Sequence, residues 1–138
     1  MRRLSGVVLS LALAFAGAGC DSGDTTPPTT PTPAPTITET FTGNITTAGG
    51  VSFSFTTVAE GFVTATLKAL NPDNGLQVGL ALGTWNGVLC QVVLANDRTT
   101  SGVTISGNVS GPGSLCVRIY DIGQITQPTA FEIVVVHP

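Results

Sequence analysis

From position 36 onward, apolar and polar residues alternate in short runs, and turn residues interrupt the runs at steady spacing. Val51-Ser52-Phe53-Ser54-Phe55-Thr56, Val63-Thr64-Ala65-Thr66-Leu67-Lys68 and Val103-Thr104-Ile105-Ser106 all repeat with a period of two. Leu115, Val117 and Ile119 share one face of their run, opposite Cys116, Arg118 and Tyr120; Phe131, Ile133 and Val135 share another, opposite Glu132, Val134 and Val136. This period belongs to strands with one buried face. It narrows the fold more than any other feature, because such strands must pair with one another and a second layer must cover their apolar face. The punctuation is Ala48-Gly49-Gly50, Glu60-Gly61, Asn71-Pro72-Asp73-Asn74-Gly75, Asn86-Gly87, Asn96-Asp97, Gly111-Pro112-Gly113 and Gly123. Between these marks the pattern predicts eight strands, over 37–43, 51–57, 62–70, 76–84, 88–95, 102–109, 114–121 and 129–136. Asn86-Gly87 predicts a two-residue hairpin turn with positive φ at both positions. With no helical period over 37–138, the expected class is all-β, a single antiparallel β-sandwich.

The expected inward set is Phe53, Phe55, Val63, Leu67, Val78, Leu80, Leu82, Val103, Ile105, Leu115, Val117, Ile119, Phe131 and Ile133. At about 1.5–3 kcal/mol for each buried side chain, such a set offsets much of the ordering entropy of a small domain.

The stretch before the strands divides in two. Arg2 and Arg3 are followed by an apolar run over 4–18 and then by Gly17, Ala18, Gly19 and Cys20. A short basic segment, an apolar run below the roughly 18–20 residues of a membrane span, and small residues at its end are the plan of a signal peptide. Gly17-Ala18-Gly19-Cys20 resembles the bacterial lipoprotein lipobox, with Gly17 where that family usually carries leucine. The resemblance implies cleavage before Cys20, a lipid-bearing Cys20 as the first mature residue, and a membrane as partner. Two or more acyl chains, at about 0.8 kcal/mol per buried methylene, hold a soluble domain stably. The alternatives are ordinary secretion with Cys20 left as a free thiol, or an uncleaved anchor. Asp21 resembles the inner-membrane retention signal of enteric bacteria; inner or outer membrane stays open at this point. Residues 21–36, DSGDTTPPTTPTPAPT, carry five prolines and no core-forming residue. Extended at about 3.1 Å per residue, they make a tether of up to roughly 50 Å. The expected organisation is thus signal peptide 1–19, lipidated cysteine and linker 20–36, and sandwich 37–138.

Charged residues make up 9% of the chain and mean hydropathy is +0.39. Past the leader only Lys68, Arg98 and Arg118 are basic, against eight acids, a balance of −5. Without a basic patch, nucleic acid is not an expected partner. Cys90 and Cys116 fall in different expected strands. In an exported domain such a pair usually bonds, and closing a loop of this length stabilises by about 3–4 kcal/mol. Two buried thiols or a metal site are the alternatives, although two cysteines without a neighbouring histidine give too few ligands for zinc.

Gly113-Ser114-Leu115-Cys116-Val117-Arg118-Ile119-Tyr120-Asp121, followed by Phe131-Glu132-Ile133-Val134-Val135, resembles the end of the bacterial pre-peptidase C-terminal domain. Phe41-Thr42-Gly43-Asn44-Ile45 and Val51-Ser52-Phe53-Ser54-Phe55 resemble its opening strands. The resemblance covers 38–138. It implies a jelly-roll-like sandwich and a non-catalytic binding role, in a family some of whose members bind collagen or calcium. Leu76-Gln77-Val78-Gly79-Leu80 lacks the aspartate that the family commonly shows there, which counts against calcium, and the Cys90/Cys116 pair is a further departure.

No catalytic set is expected. His137 is the only histidine and reads as a solvated tail residue, so a hydrolase would have to recruit a frayed segment. The acids are scattered singly, without the pairing that glycoside chemistry uses. Neither a metal site nor a cofactor is expected. Trp85, beside the Asn86-Gly87 turn, is a candidate for stacking on a sugar or anchoring a protein contact, and otherwise caps the core. Arg118 and Tyr120, sharing a face with Cys116, are candidates for a recognition surface, or are simply a half-exposed sheet face. The overall expectation is a lipid-anchored envelope protein, periplasmic or surface-facing, acting without catalysis on an envelope protein or a glycan. The runners-up are a carbohydrate-binding module built on Trp85 and a small secreted hydrolase.

Overall fold

The computed structural model describes Thr30 and Thr32–Pro138; the expected leader, Cys20 and most of the linker lie outside the described residues. Eight strands follow in chain order: β1 Ile37–Ile45, β2 Gly50–Thr57, β3 Gly61–Asn71, β4 Val78–Trp85, β5 Cys90–Thr99, β6 Thr104–Val109, β7 Gly113–Tyr120 and β8 Thr129–His137. They form two four-stranded antiparallel sheets, ordered β1-β8-β3-β6 and β2-β7-β4-β5. This arrangement is the jelly roll, in which consecutive strands alternate between the sheets of a sandwich except where β4 and β5 pair within one sheet.

The expected period of two places the core. β8 lies between β1 and β3 and buries every second residue, Phe131, Ile133 and Val135 among them. Opposite it, Val117 and Ile119 of β7 and Leu80 and Leu82 of β4 complete the interior. Phe53 and Leu115 pack on this core only partly buried, and Ile45, Leu70 and Ile125 join it from positions outside the expected set.

Four local expectations are corrected. The β4–β5 connection is not a two-residue turn but a loop over 86–89. Asn86 Oδ1 accepts the N–H groups of Val88 and Leu89 at 2.9 and 2.8 Å, and only Gly87 has positive φ, +97°. Asn96-Asp97 does not end β5, which runs on to Thr99. Asn96 Oδ1 instead accepts the Arg98 N–H within a register shift against β4. β6 begins at Thr104 because Gly102, at φ +93°, carries the turn that brings its N–H to Leu67 O.

His137 is not a solvated tail residue. It closes the inward series of β8, 1% exposed, with its ring 5.0 Å from that of Phe55 and Nε2 3.0 Å from Glu39 Oε1. The parity of Phe131, Ile133 and Val135, carried two positions further, places it inside.

Candidate functional site

The outer face of the β2-β7-β4-β5 sheet holds the polar candidates. Odd positions of β4 point outward, and they are small: Gly79, Ala81 and Gly83. A Cβ on Gly79 would overlap the Tyr120 ring, and one on Gly83 would overlap the backbone carbonyl of Gln91. The glycines therefore form a shallow trough. Tyr120 lies across its Gly79 end, and the chain entering β5 crosses over its Gly83 end. That crossing brings Cys90 to Cys116, which is the register partner of Gly83, and the two form a disulfide with Cα atoms 5.6 Å apart. A glycine inside a strand commonly marks such a close backbone approach, and this signal was present in the sequence at Gly83.

Tyr120 reaches across β4 and donates its hydroxyl hydrogen to Asp97 Oδ1 on β5. The Arg118 guanidinium stands 5.6 Å from the Tyr120 ring centre. Burial, then the hydrogen bond to Asp97 and the charge of Asp97, push the Tyr120 pKa up to about 12, while Arg118 pulls the other way. Arg118 and Tyr120 thus stand together with Asp97, which sequence reasoning missed because the bulged β4–β5 register hides which residue faces Tyr120. Trp85 is on the same face but apart from them. It lies four residues along β4 from Ala81, the register partner of Arg118, and six from Gly79, that of Tyr120, which is about 13 and about 20 Å, and it is partly exposed beside Cys90.

A second polar cluster is a clamp. Asp121 Oδ1 accepts the N–H groups of Gly123, Gln124 and Ile125 at 2.8–3.0 Å, and Oδ2 accepts that of Ala48 at 2.8 Å. The Ala48 bond, reinforced by the other three against an opposing burial effect, holds the carboxyl below its ordinary pKa of 3.8. The geometry ties the β7–β8 loop to the turn between β1 and β2. It leaves the carboxylate occupied by backbone, a structural role.

The apolar feature is the edge strand β5 together with the loop that leads into it. Val88, Leu89, Val92, Val93 and Leu94 form a nearly continuous aliphatic run, and Val93 is 78% and Leu89 65% exposed. Val93 is the extra residue of the bulge between Leu82/Leu94 and Gly83/Val92. β5 pairs with β4 only, so its other backbone side has no partner strand among the described residues. Between β5 and β6, the edge strand of the other sheet, a recess of about 140 Å³ opens into the sandwich. Its walls are Val63, Leu82, Val93, Leu94, Val109 and Leu115.

Among the described residues, no three His, Cys, Asp or Glu side chains group closely enough to hold a metal ion, and no helix is long and apolar enough to cross a membrane. In comparisons with known proteins, the chain matches no protein family and no curated protein.

Proposed function

We propose that the chain is a lipid-anchored bacterial envelope protein, periplasmic or surface-facing, whose jelly roll acts without catalysis as a binding or structural module. The observation that carries the binding part is the aliphatic run on β5. A contiguous apolar stretch on an unpaired edge strand is a surface that soluble domains usually cover or blunt, and one left open marks an interaction site. The partner this favours is another envelope protein. The anchor part rests on the lipobox-like Gly17-Ala18-Gly19-Cys20 and the proline-rich tether behind it. Kinship with the pre-peptidase C-terminal domain is part of the same proposal, supported by the strand motifs and consistent with a jelly roll.

Two observations weigh against the alternatives. Sugar recognition combines an aromatic face with polar groups beside it, and along β4 Trp85 stands four residues, about 13 Å, from the register partner of Arg118 and six residues, about 20 Å, from that of Tyr120. A hydrolase of the Ser-His-Asp kind needs a histidine free to exchange protons with a nucleophile, and His137 is buried between Glu39 and Phe55.

Mass spectrometry of the native amino terminus tests the anchor: Cys20 carrying acyl mass supports it, and an unacylated terminus elsewhere removes it. Photo-crosslinking in cells tests the surface. A cross-linker at Leu89 is expected to trap a discrete adduct that the same probe at Thr42, on the β1 edge, does not. Equal trapping at both positions, or none at 89, refutes docking through β5.

A further inference from the structure

We infer that the recess between β5 and β6 is a binding site for a small cationic amphiphile, one compact apolar group carried on an ammonium. The recess exists because of one residue. The inward positions of β6 are Ile105, Gly107 and Val109, so a glycine interrupts an aliphatic series. Its register partner is Val63, a wall of the recess. Gly107 has none of the usual reasons to be glycine. Its φ is not positive, and a Cβ there would meet nothing within 4 Å. Gly79 and Gly83 differ, since a Cβ at either would collide with the Tyr120 ring or the Gln91 backbone. At position 107 the missing side chain leaves space and nothing enters it.

The space sets the size of the apolar group. An apolar cavity of about 150 Å³ in another protein takes up benzene, and this recess is about 140 Å³. Its walls are aliphatic apart from Thr84, Asn108 and exposed backbone, so the group that fits is a phenyl ring or a branched alkyl of similar bulk.

The mouth sets the charge. Asn108 and Val109 also line an adjoining polar groove, together with Glu60, Gly61 and Ser110. Glu60 is exposed and makes no ion pair among the described residues, and no basic residue lines either recess. A group seated against Gly107 can therefore extend past the shared Asn108 and Val109 into the groove that Glu60 lines, where a cation is favoured and an anion repelled. This site does not depend on the lipid anchor; it shares Val93 and Leu94 with the β5 run, whereas Val88 and Leu89, where the docking test is made, do not line it.

The test uses the purified full-length chain and three probes of similar shape: phenethylamine, 2-phenylethanol and 3-phenylpropionate, followed by amide chemical shifts. The inference expects saturable shifts centred on Val63, Gly107, Val109 and Leu115. The amine should bind tightest and the carboxylate weakest, with about two- to fivefold between amine and alcohol, as suits an exposed ion pair. Gly107→Leu fills the recess and should abolish saturation while the melting temperature holds or rises. Should that variant fail to fold, Gly107→Ala should fold and weaken all three probes. Glu60→Gln should remove the preference for the amine and leave the alcohol unchanged. Absence of saturable binding, binding indifferent to position 107, or equal affinity for amine and carboxylate would each overturn the inference.

Discussion

The two long edges of this sandwich are built from the same alternating code and end up unlike. At the β1/β2 edge, Phe41 and Phe53 stack with ring centres 4.9 Å apart, and Phe53 meets Phe131 edge-on at 6.0 Å. Gly43 opposite Phe131 leaves room for that ring, since a Cβ there would come within 2.9 Å of it. Asp121 ties the β1–β2 turn at this side to the β7–β8 loop. At the β5/β6 edge the corresponding inward glycine, Gly107, faces empty space, and aliphatic side chains stand at the surface. In one case a glycine admits a neighbouring ring; in the other it admits nothing from the chain itself. Whether an edge of a sandwich is core or site depends on what arrives from the facing strand, and the glycine alone does not decide it.

The largest way to break this contrast is Phe131→Ala. Removing a buried ring should cost about 3–5 kcal/mol by urea denaturation and should open the closed edge. Phenyl probes should then shift amides near Phe41 and Phe53 that they leave unmoved in the parent chain. Replacing both Cys90 and Cys116 by alanine comes next. Freeing a loop of separation 26 should cost about 3–4 kcal/mol. Hydrogen exchange should accelerate along β5 far more than along β1, because the disulfide pins the strand where it crosses Gly83.

Asp121→Ala should loosen the closed edge by about 1–2 kcal/mol, the scale of losing a carboxylate that satisfies several backbone donors. It also changes the acid limb. Because the folded pKa of Asp121 lies below 3.8, its contribution is present above that value and is lost as pH falls through the folded value. Thermal melts taken at decreasing pH should therefore fall less steeply in the variant. The smallest effect belongs to Tyr120→Phe on the open half. The Tyr120 pKa is raised from 10.0 to about 12, so its contribution is complete below 10 and fades as pH climbs from 10 to 12. The variant should lose that alkaline decline while changing neutral stability by less than about 1 kcal/mol. Phenolate absorbance in the parent should report the late titration directly.

Much of this was legible in the residues. Alternation and turn chemistry are local, so all eight strands fall within a few residues of where the pattern puts them. The parity that faced Leu115, Val117 and Ile119 inward also placed Arg118 and Tyr120 on the opposite side with Cys116. The same parity, followed to the end of β8, would have buried His137; proximity to the end of the run concealed it. Asp97 was not legible as the partner of Tyr120, because two register shifts lie between β4 and β5 and a shift of one residue exchanges the faces of a strand.

The amino-acid order by itself determined the strands, their apolar faces and the pairing of the two cysteines among the described residues. The tertiary structure alone decided which edge would be filled. Strand identity follows from neighbours two residues apart, whereas the space beside a glycine depends on side chains that are distant in sequence. Phe131 is 88 positions from Gly43 and enters beside it, while Val63, 44 positions from Gly107, stands opposite it and leaves the space open.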